Sequence, residues 1–192
     1  MGRLFVFEGP DGVGKTTTIE AVEKRLHDSG QACSRFSFPG RESGTLGAHI
    51  YALHHQPAQF GVEGLSALSL QILHVAAHVD TIEQRILPLL RRGETVLLDR
   101  YWWSTWIYGS AAKVPVAQLN RLLSVEHLIW QEVTPTTLFL MSRSSTSVPQ
   151  EIAQTYRKLA EQESAKYPVV SIKNENRIDL VADEILKIVA SA

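Results

Sequence analysis

The chain has 192 residues, of which 44% are hydrophobic and 20% are charged, and its formal net charge at pH 7 is -1. A chain of this length fits one domain of about 100 to 200 residues, and its composition excludes disordered and collagen-like proteins. Nucleic acid is not expected as a partner, because domains that bind it usually carry a basic excess on one face. We therefore predict one domain over residues 1–192, in which any anion is held by a local site.

Short apolar runs alternate along the chain with longer helix-compatible stretches, which is typical of a parallel sheet covered by helices. Strands are predicted at residues 4–7, 32–38, 95–98, 137–141 and 169–172. Helices are predicted at residues 15–29, 150–165 and 178–189, with two long helical tracts at residues 62–92 and 102–131. This order predicts an α/β fold, and we expect substrate to be recognised by the two long tracts.

A glycine-rich segment, GPDGVGKT at residues 9–16, follows the first predicted strand and begins the first predicted helix. It satisfies the pattern G-x-x-x-x-G-K-[ST], in which main-chain N–H groups and a helix N-terminus bind phosphate. Lys15 would then contact the β- and γ-phosphates, and the hydroxyl of Thr16 would bind Mg²⁺. The predicted nucleotide-binding residues are Gly9, Asp11, Gly12, Val13, Gly14, Lys15, Thr16 and Thr17.

Charged side chains follow the second and third predicted strands. Arg41 lies in FPGRESG at residues 38–44, and Asp99 and Arg100 end the third strand. Open α/β sheets place ligands at this edge, so Arg41 could clamp an acceptor phosphate, Asp99 could hold a metal's water shell or position the acceptor, and Arg100 could neutralise charge between donor and acceptor. The alternative is a pair of surface arginines and a helix-capping aspartate.

These segments resemble the thymidylate kinases, which are P-loop enzymes that transfer the γ-phosphoryl group of ATP to dTMP. The resemblance covers most of the chain and rests on FEGPDGVGKTT at residues 7–17, FPGRESG at 38–44, ILPLL at 86–90 and DRY at 99–101, followed by Ser104 and Tyr108. It implies a P-loop NTPase-type fold with a five-stranded parallel sheet and helices on both faces.

The resemblance also implies roles for individual residues and partners. It implies ATP as donor, Mg²⁺ as cofactor, and a homodimer. Glu8 would support the phosphate loop, Asp11 and Tyr101 would lie near the acceptor sugar, and Arg41 and Arg100 would bind the acceptor phosphate. The predicted acceptor-binding residues are Asp11, Phe38, Pro39, Arg41, His74, His78, Arg100, Tyr101 and Tyr108.

The chain departs from this family in the helix before the third strand. There the family usually has an aromatic residue that stacks on thymine and, four residues later, an arginine that contacts the base and its phosphate. This chain has His74 and His78, which share one helical face, but imidazole is smaller than phenyl and largely neutral at pH 7. Either both histidines point into the acceptor pocket, or both are helix residues with satisfied hydrogen bonds.

A second departure is the lid after the fourth strand, which in the family carries arginines that close over ATP. Residues 142–149 form only a short lid-like loop, in which Arg143 is the single arginine. Loss of such charge stabilisers commonly costs orders of magnitude in rate. Arg143 therefore substitutes as a catalytic residue, or a cation beside the phosphate loop compensates, or turnover is slow.

Three tryptophans, Trp102, Trp103 and Trp106, follow the third strand at helical spacing. They could form an aromatic wall beside the acceptor, but we favour core or dimer interface, where such clusters are more often found.

Cysteine content and hydropathy bear on the compartment. The single cysteine, Cys33, cannot form an internal disulfide, so the fold does not depend on an oxidising compartment. No apolar stretch approaches the ~20 residues of a membrane-spanning helix, and no signal-peptide pattern is present. We expect a cytoplasmic protein without a membrane partner.

The leading hypothesis is ATP-dependent phosphoryl transfer to a nucleoside monophosphate, most simply dTMP or a related pyrimidine nucleotide. The predicted catalytic residues are Lys15, Arg41, Asp99, Arg100 and Arg143, and the predicted metal ligands are Thr16 and Asp99. The chief alternative is a regulatory or assembly module that binds nucleotide but has lost efficient transfer. A simple ATPase or GTPase switch is disfavoured, because an [NT]-K-x-D guanine-reading sequence is missing.

Overall fold

A computed structural model describes residues 1–130, 133–145, 147–175 and 177–192. Its strands are β1 (Arg3–Glu8), β2 (Cys33–Ser37), β3 (Thr95–Asp99), β4 (Thr137–Ser142) and β5 (Val169–Lys173). They form one parallel sheet in the order β2-β3-β1-β4-β5. The five predicted strands are confirmed, because short apolar runs next to turn residues are a local signal.

The helices are α1 (Lys15–Asp28), α2 (Leu46–His55), α3 (Ala67–Thr81), α4 (Leu87–Arg91), α5 (Trp102–Ala111), α6 (Val116–Trp130), α7 (Gln150–Glu163) and α8 (Ile178–Ser191). A π-helical turn (Ile82–Ile86) joins α3 to α4, and a 3-10 turn (Pro57–Phe60) follows α2. The three shorter predicted helices correspond to α1, α7 and α8.

The two long predicted tracts needed correction. Residues 62–66 are not helical, since α3 begins only after Ser66, whose side chain accepts the N–H of Ser69. The tract at 102–131 divides into α5 and α6 because Lys113 has a positive φ of 66° and Pro115 follows. Gln131, at its end, lies outside the described residues.

Helix α2 was not predicted. Thr45 begins it, with a hydroxyl that accepts the N–H of Ala48 at 3.0 Å. Gly47 lies so close to the β2 loop that a Cβ there would be 1.9 Å from the carbonyl oxygen of Pro39. Helix α2 therefore packs directly on the loop after β2.

The sheet is buried on both faces, so neighbouring residues of β1 belong to different cores. Phe5 and Phe7 pack with α1 and α8, whereas Leu4 and Val6 pack with the helices of the opposite face. Trp102 and Trp103 are buried in that second core, and Trp106 packs against it. The structure thus places the tryptophans in the core, the first of the two environments favoured from sequence.

Parallel register aligns the ends of three strands. Phe7 pairs with Asp99, and Asp99 pairs with Ser37. The loops after β1, β2 and β3 therefore meet at one sheet edge. Within the described part of the chain, no helix is long and apolar enough to span a bilayer; the cytoplasmic location stays a prediction.

Candidate active site

The phosphate loop has the backbone that its glycines allow. Gly9 has φ of 139°, and a Cβ there would lie 2.3 Å from the carbonyl oxygen of Met141. Gly14 has φ of 82°, and a Cβ there would lie 2.4 Å from the side-chain nitrogen of Asn174. That nitrogen donates to the carbonyl of Val13 at 2.8 Å. Asn174, which follows β5, therefore holds the loop from the side, and no pattern in the sequence indicates this contact.

Lys15 is buried against the loop that it follows. Its Nζ donates to the carbonyl oxygens of Gly9 and Pro10, both at 2.7 Å. Burial, followed by the nearby charge of Arg100, lowers the pKa of Lys15 to about 8. The ammonium group remains mainly protonated at pH 7, and the carbonyl bonds hold it at the phosphate loop.

Thr16 and Asp99 form an oxygen-rich pair at the end of β3. The Thr16 hydroxyl donates to Asp99 Oδ2 at 2.6 Å. Asp99 Oδ1 is buried and has no hydrogen-bond partner among the described residues. A hydroxyl beside a carboxylate with an unused oxygen fits a hard divalent cation such as Mg²⁺. These two residues could hold the metal that was predicted for them.

Arg100 links the phosphate loop to α5. Its backbone has a positive φ of 74°, and its N–H donates to the carbonyl of Phe7 at 2.9 Å. The guanidinium group donates to Ser104 Oγ at 2.8 Å and to the carboxylate of Asp11. Burial acts to raise the pKa of Asp11, but the charge of Arg100, the hydrogen bond with Tyr108 and the charge of Lys15 together bring the pKa below its usual value. The bonds to Asp11 and Ser104 place Arg100 between the phosphate loop and α5.

Glu8 is fully buried between the same two elements. Its carboxylate accepts the N–H groups of Tyr101 at 2.7 Å, Ser104 at 3.1 Å and Gly9 at 3.2 Å. The Ser104 hydroxyl also donates to it, at 2.8 Å. Burial raises the pKa of Glu8 even though Arg100 and these hydrogen bonds act in the opposite direction. Glu8 therefore ties the start of the phosphate loop to the start of α5.

Two cavities open at this edge. A cavity of about 610 Å³ lies over the phosphate loop and α1, and one of about 380 Å³ lies between α2, α3 and α5. The residues that line both are Asp11, Phe38, Arg41 and Arg100. We call the first the donor cavity and the second the acceptor cavity.

The acceptor cavity brings together the residues predicted to bind acceptor. Its lining includes Asp11, Phe38, Pro39, Arg41, His74, His78, Arg100, Tyr101 and Tyr108. Arg41 is exposed, and its guanidinium lies over the ring of Tyr51 at 4.5 Å from the centroid. Tyr51, His54 and His55 line the same cavity and belong to α2, which explains why sequence reasoning missed them.

His78 lies at the buried end of this cavity. Its Nδ1 lies 2.9 Å from Oε2 of the fully buried Glu126, and its ring stacks on Phe38 with centroids 4.1 Å apart. Trp130 Nε1 also donates to Glu126, at 3.3 Å. His78 therefore both lines the cavity and has a satisfied hydrogen bond, so the two interpretations from sequence are compatible for it. Glu126 is 48 residues away and could not be paired with it from sequence.

His74 differs from His78. Its Nε2 is buried without a hydrogen-bond partner among the described residues, as is Oε1 of Gln71. Burial, then the neighbouring His78 and His54, lowers the pKa of His74 to about 3. His74 is neutral near pH 7, and the cavity wall contains two polar atoms that a ligand could satisfy.

Arg143 is not brought to this site. It is exposed at the end of β4 and is not among the described residues that line either cavity. The neighbouring Ser144 N–H donates to the carboxylate of Glu175. Thr146, within the predicted lid-like loop, lies outside the described residues. The catalytic role of Arg143 stays a prediction.

A five-stranded parallel sheet, with a glycine-rich phosphate loop between β1 and α1 and charged residues at neighbouring strand ends, defines a P-loop NTPase-type nucleotide-binding fold. The family model for thymidylate kinase matches residues 7–185. The chain therefore belongs to the thymidylate kinase family, whose activity is that of a nucleoside monophosphate kinase.

Comparisons with individual proteins agree with this family. The chain is 35% identical over 126 residues to the thymidylate kinase of Deinococcus radiodurans, a match that covers 65% of this chain and 58% of the relative. It is 27% identical over 213 aligned residues to that of Bartonella henselae, covering 96% of this chain and 93% of the relative.

A solved structure, the thymidylate kinase of Ehrlichia chaffeensis, has the same fold. Its TM-score is 0.77 at 20% identity, and the alignment covers 98% of both chains. The match to the Deinococcus enzyme spans less than two thirds of its length. The activity of this particular chain is accordingly a matter for proposal.

Proposed function

We propose that this chain transfers the γ-phosphoryl group of ATP to a nucleoside monophosphate, with dTMP or a related pyrimidine nucleotide as acceptor and Mg²⁺ as cofactor. One observation carries the proposal: the donor and acceptor cavities share Asp11, Phe38, Arg41 and Arg100 as common lining. Two bound nucleotides would therefore meet end to end with two guanidinium groups at their junction.

On the donor side, main-chain N–H groups of the phosphate loop and the N-terminus of α1 would bind the triphosphate. Lys15 would exchange its bonds to Gly9 and Pro10 for bonds to phosphate oxygens. Thr16 and Asp99 would hold Mg²⁺, which when bound neutralises charge on the phosphate oxygens.

On the acceptor side, Arg41 and Arg100 would hold the monophosphate in line with the donor. An acceptor phosphate is already ionised at neutral pH, so no side chain needs to remove a proton from it. The rate would come from positioning and from neutralising charge in the transition state.

The acceptor base would lie in the deeper part of the acceptor cavity. Arg41 and Arg100 lie at the phosphate end, and His78 occupies the place where the family usually has a base-reading arginine. Because the His78 ring is hydrogen-bonded to Glu126 and stacked on Phe38, it cannot extend to the acceptor base and its phosphate as an arginine side chain does. The substitution His78→Arg tests the base: improved use of dTMP would mean that the natural acceptor is another nucleotide.

An ADP-release assay with a panel of nucleoside monophosphates tests the proposal. We expect one pyrimidine monophosphate to stimulate ADP release in the presence of Mg²⁺. Nucleotide binding without stimulation by any monophosphate would contradict the kinase and support the regulatory module, an alternative favoured by the exposed position of Arg143. A homodimer, implied by the family resemblance, is tested by light scattering of the same preparation.

A further inference from the structure

Tyr156 lies behind the acceptor site without lining it. Its side chain is 1% exposed in α7, and its hydroxyl lies 3.0 Å from Ser104 Oγ. Ser104 in turn contacts both Glu8 and Arg100. Tyr156 is thus two hydrogen bonds from the guanidinium group that the proposed function assigns to the acceptor phosphate.

The direction of these bonds follows from what a serine hydroxyl can do. It has one hydrogen to donate and can accept two. Ser104 donates to the Glu8 carboxylate at 2.8 Å and accepts from Arg100 Nη1 at 2.8 Å. The Tyr156 hydroxyl must therefore donate to Ser104, and the hydroxyl of Ser104 then has no free position.

The other hydrogen-bond partner of Arg100, the carboxylate of Asp11, holds the guanidinium group less firmly than Ser104 does. Asp11 is a loop residue whose side chain is 67% exposed. Ion pairs with exposed groups contribute little and are screened by salt. Ser104 is buried, so its bond to Arg100 is the one that is protected from water. Of the two side-chain hydrogen bonds of Arg100, the one to Ser104 is therefore the stronger constraint on its orientation, beside the ring of Tyr108 at 5.6 Å from its Cζ.

We propose that Tyr156 is a positioning residue: its hydroxyl fixes Ser104, and through Ser104 it holds the guanidinium group of Arg100 for the acceptor phosphate. This inference rests on the proposed function. It makes α7, which follows the short loop after β4, part of the acceptor site. Nothing in the sequence pattern links residues 52 positions apart in this way.

The test is Tyr156→Phe, which removes one oxygen and leaves the ring. A matched control is Tyr167→Phe, since Tyr167 is also buried and also loses a bonded hydroxyl. Its hydroxyl accepts from Trp103 Nε1 and donates to Glu163, both at 3.1 Å, and has no contact with Ser104 or Arg100. Tyr167→Phe removes two hydrogen bonds and Tyr156→Phe removes one, so the control is the harsher change, but only Tyr156→Phe removes a bond to Ser104.

For the monophosphate that the panel identifies, we expect Tyr156→Phe to lower kcat/KM by about 5-fold, which is the effect of losing one neutral hydrogen bond. The KM for ATP should stay within about 2-fold, and Tyr167→Phe should leave both constants within about 2-fold of the unsubstituted protein. The proposal would be overturned if Tyr156→Phe and Tyr167→Phe lowered kcat/KM for the acceptor equally. It would also be overturned if Tyr156→Phe impaired the kinetics with ATP as much as those with the acceptor.

A second measurement is independent of turnover. In the nucleotide-free protein, side-chain NMR of ¹⁵N-labelled arginine should show Arg100 restrained in the unsubstituted protein and in Tyr167→Phe, and more mobile in Tyr156→Phe. An unchanged Arg100 signal in Tyr156→Phe would overturn the inference even if the kinase activity is confirmed. If no monophosphate is phosphorylated, the proposed function fails, and this signal still decides whether Tyr156 positions Arg100.

Discussion

The donor and acceptor cavities meet at Arg100 but are built in different ways. Half of the residues that line the donor cavity belong to one continuous segment, the phosphate loop and α1, and the ligands from that segment would be main-chain N–H groups with one lysine. The acceptor cavity is formed by side chains from the β2 loop, α2, α3 and α5. Under the proposed function, the first would bind a group common to all nucleoside triphosphates, whereas the second would have to select one nucleotide.

From this difference we expect substitutions in the two cavities to affect the binding of different substrates. A change in the phosphate loop should remove all nucleotide chemistry, and a change in the acceptor wall should alter one substrate only. Four substitutions test the comparison, from the largest expected effect to the smallest.

Lys15→Ala should have the largest effect, because under the proposed function it removes the cation that would contact the transferred phosphoryl group. We expect turnover to fall by about 1,000-fold or more and binding of triphosphate to weaken. ADP release and nucleotide titration measure the two effects. Lys24→Ala is the control, since Lys24 is an exposed residue of α1 paired with Asp28. Retention of full turnover by Lys15→Ala would show that the loop is not the donor site.

Arg41→Ala should act on the acceptor alone. Loss of one charge-assisted hydrogen bond to phosphate is expected to lower kcat/KM for the acceptor by about 10- to 100-fold, through KM or kcat. The KM for ATP should hardly change. Arg92→Ala, which removes an exposed arginine paired with Glu94, provides the control. If acceptor kinetics are unaffected, Arg41 does not bind the acceptor phosphate.

His74 should make the stability of the acceptor wall depend on pH. Its folded pKa of about 3 lies below the ordinary value of 6.5, because it is buried beside His78, His54, Arg100 and His55. The unfolded chain therefore binds the extra proton first, and stability is lost as the pH falls below 6.5.

Between pH 7 and pH 5 the contribution of His74 should fall by about 2 kcal/mol. Urea unfolding of the unsubstituted protein and of His74→Phe at both pH values measures this, since phenylalanine cannot titrate. The loss on acidification should be smaller in His74→Phe. The same loss in both proteins would mean that His74 is not the titrating group.

Asn174→Ala should have the smallest effect. It removes the bond to the carbonyl of Val13 that holds the phosphate loop. We expect the KM for ATP to rise by about 5-fold, equivalent to about 1 kcal/mol, and the KM for the acceptor to stay the same. Steady-state kinetics with each substrate varied in turn measures the two KM values separately. A rise in KM for the acceptor alone would mean that Asn174 supports the acceptor cavity and not the donor cavity.

The same contrast explains what the sequence could predict. The strands and the phosphate loop depend on neighbouring residues, so apolar runs and glycine spacing indicated them within a residue or two. Arg41 and Arg100 were placed correctly at the sheet edge because parallel strands end there together.

The remainder depends on contacts between distant segments. Helix α2 has no clear apolar periodicity, and its position is set by close packing of Gly47 on Pro39. The bond between His78 and Glu126 and the one between Tyr156 and Ser104 join residues about 50 positions apart. The first pair is a consequence of how α3 packs on α6 and the second of how α5 packs on α7, which no local pattern encodes.

The buried carboxylate of Glu8 has one more consequence. It accepts hydrogen bonds from the first N–H of the phosphate loop and from N–H groups at the start of α5. The phosphate loop and the start of α5 are therefore parts of a single rigid block at the end of β1. The position of Arg100 relative to the phosphate loop is then set by this block and by neither α2 nor α3. Under the proposed function, substitutions in those helices would change which nucleotide is chosen while Arg100 keeps its place beside the phosphate loop.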